Sequence, residues 1–438
     1  MRNRIIIYIP KITIRHKYIF NLVFRELYSI DYSLIDCKES YLASNEIKLN
    51  YSKHSICDKE IFIQSHGLLT QKGINEIDIN IRMLNGQPVF FSAHLESSYP
   101  FDLFAASFYL ISRYEEYLPH LKDKHNRYKA EESLAFRYGF LEKPIIEIWI
   151  KDFIEKLEQY FNHSVIKYPK FKYVSTIDID NAYLYKGKGF VRSVAFFLKA
   201  ISEFSYKLLK KGLLVIIGKR KDPYDTYSFQ INIQKKYNIA VRYFVLLGNY
   251  GVNDKNISHT NSNLKSLVKR LADLAPVGIH PSFGSNFRLG QLNIEINRLV
   301  DIQKREVCFS RQHFLQLSFP KTYLELIESG ITNDYTMGYA SHLGFRAGIS
   351  SPFTFYNLDM EQILPITIHP FAITDDILNF NMKLSPHEVI NKISYIIKDV
   401  KQVNGTLITI WHNDSFCDEG NWKGWKNVYE EMIKLIKS

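Results

Sequence analysis

The chain has 438 residues, 46% hydrophobic and 14% aromatic, enough to bury one large core and more readily two, which excludes a disordered or fibrous protein. Fifty-six Lys and Arg against 45 Asp and Glu leave a formal charge of +11. That excess is spread out, with Lys207, Lys210, Lys211, Lys219, Arg220 and Lys221 as its only dense cluster, and it reads as a solvated face before an anionic membrane or glycan surface, with no nucleic-acid motif beside it.

The N-terminal segment Met1-Arg2-Asn3-Arg4 leads into an apolar run, Ile5 to Pro10, that is too short for a signal-peptide core and reads as a strand. A helix over Tyr18–Leu27 and short strands at Ile61–Gln64 and Pro88–Ser92 follow. Phe101, Phe104, Ala105, Phe108, Tyr109 and Ile111 recur at helical spacing, and that helix is expected to fray at Leu118-Pro119. Asp123 to Arg127 is a polar loop. A second helix, Pro144 to Tyr160, carries Ile145, Ile148, Trp149, Phe153 and Leu157 as its apolar stripe, and Tyr168-Pro169-Lys170 reads as a linker. The expected domains are therefore 1–168, a smaller α+β unit, and 169–438.

Past the linker, strand and helix signals alternate, as in an α/β fold with a mainly parallel sheet. The apolar run Tyr173 to Ile177 ends in Asp178 and Asp180, two carboxylates that a strand projects from one face. Paired acids there need a cation or a proton between them, although an Asp capping the next helix is the plainer reading. A long basic helical region follows. Val241 to Leu247 is the next strand, Ser262 caps a helix over Asn263–Leu274, and Val277-Gly278-Ile279 ends in His280. A helix over Gln291–Lys304 leads to Val307-Cys308-Phe309 and then Ser310-Arg311-Gln312-His313. After the helix Lys321–Ser329, stopped by Gly330, the last clear strand is Thr406–Trp411, ending in His412.

In parallel α/β sheets, residues at the carboxyl ends of successive strands converge, so Asp178, Asp180, His280, Arg311, His313, Asp334 and His412 are placed to meet. Carboxylate with imidazole is a ligand set for zinc or another first-row divalent metal. An added acid and imidazole would supply a base and an acid. Cys37, Cys57, Cys308 and Cys417 lie far apart with no C-x-x-C spacing, which suggests reduced thiols. With no apolar run long enough to span a bilayer, a cytoplasmic location is the default. Peripheral membrane contact stays open through the basic stretch Lys199–Lys221.

Thr176-Ile177-Asp178-Ile179-Asp180, Gly278-Ile279-His280-Pro281-Ser282, Arg311-Gln312-His313-Phe314, Asn333-Asp334-Tyr335 and Ile410-Trp411-His412-Asn413 resemble, in order and approximate spacing, the motifs of the polysaccharide deacetylase superfamily (carbohydrate esterase family four-like). The likeness covers residues ~170 to 438. Pro100 to Phe104, Ser112 to Tyr117 and Gly344 to Gly348 further resemble a bacterial branch with an additional N-terminal domain.

The resemblance implies a deformed (β/α) barrel and metal-dependent removal of an N-acetyl group from an amino sugar, in a surface glycan or its nucleotide- or lipid-linked precursor. Asp178 would be the general base, Asp180 and His280 metal ligands, and His412 the acid that protonates the leaving amine. Arg311 takes the place of an arginine that holds the base, with Arg346 its competitor. One departure stands out: the usual second metal histidine, four residues after His280, is Gly284. His313 is the preferred replacement, ahead of Asn286, of His369, and of a site with two strong ligands. Asp414, Asp334 and Asp376 are candidates to orient His412. Two further readings remain: a weak or inactive glycan-binding homologue, and a hydrolase of a non-sugar amide.

Overall fold

The structure is a computed structural model that describes residues 4–160, 166–189 and 206–438. Its N-terminal part is built on a four-stranded sheet of β1 (Ile5–Tyr8), β2 (Tyr32–Ile35), β3 (Ile47–Ser52) and β4 (Ile61–Gln64), in the order β2-β1-β3-β4. Every pairing is parallel. This part is therefore α/β, not the α+β unit expected, because β2 and β3 are short strands of mixed polarity that leave little periodicity to read. The first helix starts earlier than expected, at Ile14, where the Thr13 hydroxyl accepts from His16 N and a capping box closes the turn. β5 (Arg82–Leu84) and β6 (Gln87–Val89) form a hairpin whose Asn85 and Gly86 both have positive φ, as a tight two-residue turn requires.

The helix Leu103–Ile111 is buried along its whole length and ends before the expected fraying point, with Arg113 in the left-handed region at φ 55. In the helix Ile145–Leu157 the buried face is Ile145, Ile146, Trp149, Ile150, Phe153, Ile154 and Leu157. Ile148 is only half-buried.

The remainder of the chain forms a nine-stranded sheet. Its strands are β7 (Lys172–Ile179), β8 (Ala240–Val245), β9 (Val277–Ile279), β10 (Phe309–Ser310), β11 (Asn333–Asp334), β12 (Phe353–Asn357), β13 (Gln362–Ile368), β14 (Ile373–Thr374) and β15 (Thr406–His412). The order is β12-β13-β11-β10-β9-β8-β7-β15-β14. All neighbours are parallel except β12 with β13. Among the described residues no ladder joins the edge strands β12 and β14, so the hydrogen-bonded sheet is open between them. Asn261 caps the helix Ser262–Ala272, its side chain accepting from Leu264 N at 3.1 Å, so the cap lies one residue before Ser262.

The buried core is continuous across the two parts, from Ile5 to Ile436. The segment Gly344–Gly348 is one of its seams. Gly344 sits at φ +113 with the Leu141 carbonyl so close that a Cβ would lie 2.3 Å from it. Phe345 N donates to Leu141 O at 2.8 Å, and Ile146 N to Gly348 O at 3.0 Å. No helix among the described residues is long and apolar enough to cross a membrane. Residues 190–205, which include the start of the basic stretch Lys199–Lys221, lie outside the described residues. In the described remainder of that stretch, Lys211 and Arg220 pair with Glu419.

Candidate active site

Parallel register places the polar residues at one end of the sheet. β7 and β15 pair from Lys172 with Thr406 to Asp178 with His412, and β8 sets Phe244 beside Asp178. Arg311 N donates to Ile279 O and His313 N to Pro281 O, which ties the chain after β10 to the end of β9. Asp178, Asp180, His280, His313 and His412 thereby line one cleft of about 420 Å³. Arg311 lies fully buried behind it and donates Nη1 to Asp178 Oδ1 at 2.7 Å.

The hydrogen bonds settle the histidine tautomers. His280 Nδ1 lies 2.6 Å from the Arg311 carbonyl oxygen, which can only accept, so Nδ1 carries the proton. His313 Nδ1 is 2.9 Å from Asp254 Oδ1, a carboxylate, and the same assignment follows. Both Nε2 atoms face Asp180: His280 Nε2 is 3.2 Å from Oδ1 and His313 Nε2 3.5 Å from Oδ2. Asp180 Oδ1 is buried without a hydrogen-bond partner, and the three ligand atoms lie within 4.8 Å of one another.

Ligands bound at about 2.0 to 2.1 Å on a tetrahedron stand about 3.3 Å apart, so the spacing fits a divalent ion such as zinc. Orientation of each metal-binding histidine by a carbonyl or carboxylate on its other nitrogen is the usual support of such a site. With no cation bound, the same field favours a proton there. Burial opposes a charged His313, but the Asp180 and Asp254 carboxylates outweigh it and raise its pKa to about 9. Burial likewise opposes a charged Asp180, yet the His313 and His280 imidazoles hold it well below the usual carboxylate range.

Across the cleft, His412 Nδ1 lies 2.9 Å from Asp375 Oδ1, and its backbone N–H donates to Asp375 Oδ2 at 2.7 Å. The orienting acid is thus Asp375. Of the three acids expected in that role, Asp376 reaches His412 Nε2 only at 3.9 Å. Asp414 acts on it through its charge, and Asp334 is taken up by Thr336. Burial works against protonation of His412, but the Asp376 and Asp375 charges raise its pKa well above the ordinary imidazole value.

Arg346, His369 and Asn286 are engaged elsewhere. Arg346 is not beside Asp178: its guanidinium pairs with the buried Glu116, with Nε 2.8 Å from Oε1, and fastens the two parts of the chain together. His369 stacks on Tyr335 at 4.2 Å and shares a 2.9 Å contact with Asn333, and burial pushes its pKa down to about 3. The Asn286 amide nitrogen faces the Ser282 and Phe283 carbonyls at 3.4 and 3.5 Å.

Two residues of the arrangement escape the sequence reading. Asp254 lies in a loop with no periodic pattern. Besides orienting His313 it accepts from Phe283 N at 2.9 Å and Gly284 N at 3.1 Å, so the segment that carries Gly284 is fastened to a carboxylate. Asp375 adjoins Asp376, and only its position directly after β14 distinguishes the two.

Residues 5–162 match a family described as "Family of unknown function (DUF7033)". No curated protein matches the chain. Among solved structures, the chain is similar to a putative polysaccharide deacetylase from Mycobacterium smegmatis, with 12% identity and a TM-score of 0.39 over 62% of this chain and 88% of that one. It is also similar to a polysaccharide deacetylase from Bacillus cereus, with 12% identity and a TM-score of 0.30 over 61% and 88%. A third is a mutant of a CE4 family pseudoenzyme with restored enzymatic activity, at 12% identity and a TM-score of 0.27 over 61% and 63%.

Proposed function

We propose that the protein is a metal-dependent hydrolase that removes the N-acetyl group of an amino sugar in a glycan or its nucleotide- or lipid-linked precursor, on a sheet that curves as a deformed barrel. One observation carries the reading. Two histidines with protonated Nδ1 atoms aim their Nε2 atoms at both oxygens of Asp180, a constellation that one cation at its centre would satisfy. Asp180, His280 and His313 would hold a divalent metal, for which zinc is the natural choice. Bound there, the metal would polarise the amide carbonyl and make a water acidic enough to attack near neutral pH.

The chain's own residues supply the remaining steps. Asp178, paired with the Arg311 guanidinium, accepts the proton of the attacking water. His412, held by Asp375 and biased toward its charged form, donates from Nε2 to the departing amine, which must be protonated before the C–N bond breaks. Arg311 touches no reacting atom and acts through Asp178.

Two measurements test this function. Purified protein should contain about one equivalent of divalent metal that is lost in Asp180→Ala and His280→Ala. It should release acetate from a panel of N-acetylated sugar nucleotides and oligosaccharides. Full metal retention by both variants would refute the ligand set, and an Asp178→Asn variant as active as wild type would refute the base.

A further inference from the structure

The residue after the third ligand stands in an unusual backbone. Phe314 and Leu315, next to His313, adopt φ values of 59 and 54 in succession. Non-glycine residues in the left-handed region are strained and persist only where their surroundings hold them. The N-terminal part of the chain holds them here. Arg127 Nη1 donates to Phe314 O at 2.7 Å, the Gln316 amide donates to the His125 carbonyl, and the His125 ring packs 5.0 Å from Phe314 and 5.9 Å from Phe283.

The element that reaches over is itself stiff. Asp123 Oδ1 accepts from His125 N at 2.8 Å and Arg127 N at 2.9 Å, and its Oδ2 from Arg127 Nε at 2.8 Å. A bridge between Lys122 and Tyr128 closes the base of the loop. Lys124, His125 and Arg127 also line the cleft that contains the ligands. A neighbouring recess of about 380 Å³ shares Arg127, Leu315 and Ala340 with that cleft.

We infer that the N-terminal part is a working component of the metal centre: its Asp123–Arg127 loop clamps the Phe314–Leu315 turn and so fixes His313, with Arg127 as a positioning residue. This rests on His313 being a metal ligand. Released from Arg127, the turn relaxes toward ordinary φ values, and the His313 ring loses its alignment with Asp180 while Asp254 still holds its Nδ1. The loop thus governs metal affinity without touching the metal.

The test compares the full-length wild type with Arg127→Ala and Arg127→Lys by titrating metal-free protein with Zn²⁺, and by following amide hydrogen exchange over residues 312–318 in the metal-free state. Arg127→Ala should bind Zn²⁺ about 10- to 100-fold more weakly, the usual effect of losing a residue that supports a ligand. It should also exchange faster at 312–318 while the strands β7 and β15 stay protected. Arg127→Lys, which keeps one donor, should recover part of both effects. Zn²⁺ affinity and exchange equal to wild type in Arg127→Ala would overturn the clamp. A wild type that takes up no Zn²⁺ fails before any variant is compared, and that overturns the metal reading itself.

Discussion

At the scale of single residues, the proposed site ties off one side of each of its three imidazoles. Asp375 does this for His412, and its charge also keeps the imidazole protonated. An acid catalyst must hold its proton, so the alkaline limb of the kcat profile should lie above the ordinary imidazole value of about 6.5. Removing the carboxylate charge lowers that pKa. Asp375→Asn should therefore shift the alkaline limb toward lower pH as well as reducing kcat, and a pH–rate series on both proteins reads the shift. An unchanged limb would show that His412 is not the group titrating. The Arg311–Asp178 pair makes a second case. With both side chains buried, Arg311→Met leaves an uncompensated carboxylate, which should cost about 3 to 5 kcal/mol of unfolding free energy in urea titrations.

At the scale of elements, very short strands set the spacing of the proposed metal ligands. β9 has three residues and β10 two, yet between them they present His280 and His313. Their approach depends on Gly278, where a Cβ would meet the Phe309 carbonyl oxygen at 2.6 Å and the Phe244 ring at 2.8 Å. Gly278→Ala must push β9 from β10 or displace Phe244. A destabilisation of about 1 to 3 kcal/mol, as for other overpacked core positions, is expected. It should come with weaker Zn²⁺ binding than Ala substitution at the exposed Gly290 produces, measured by denaturation and metal titration.

These elements also explain how much of the site is legible in the sequence. Strand-end acids and imidazoles stand out because each follows an apolar run, so Asp178, Asp180, His280, His313 and His412 can be picked out from pattern alone, and all five line one cleft. Asp254 follows no such run, and Asp375 is masked by its twin, so neither orienting acid can be singled out. β10, β11 and β14, of two residues each, are too short for any period to show. The parallel pairing of β2 and β3 with β1 depends on long-range contacts that local pattern does not encode.

At the scale of the whole molecule, the two parts share buried polar contacts that couple stability to pH. Glu147, on the helix Ile145–Leu157, accepts from Ser350 N, Ser350 Oγ and Ser351 N through Oε1 at 2.8, 2.7 and 2.8 Å, while its Oε2 is buried without a partner. Burial outweighs those donors and raises its pKa to about 7. At low pH the carboxyl is neutral in both the folded and the unfolded chain. As pH rises past the usual glutamate value, only the unfolded chain gives up its proton, so the folded state loses relative stability until the native group ionises near 7. The loss is on the order of 2 to 3 kcal/mol between about pH 4.5 and 7. Glu147→Gln keeps the acceptor for all three donors and cannot ionise. Its unfolding midpoint should match wild type near pH 3.5 and exceed it near pH 8, about one unit beyond each end of the titration. A variant less stable than wild type at the higher pH would mean that the ionised Glu147 is the form the interface prefers, and the two parts would then be joined by charge, not by burial.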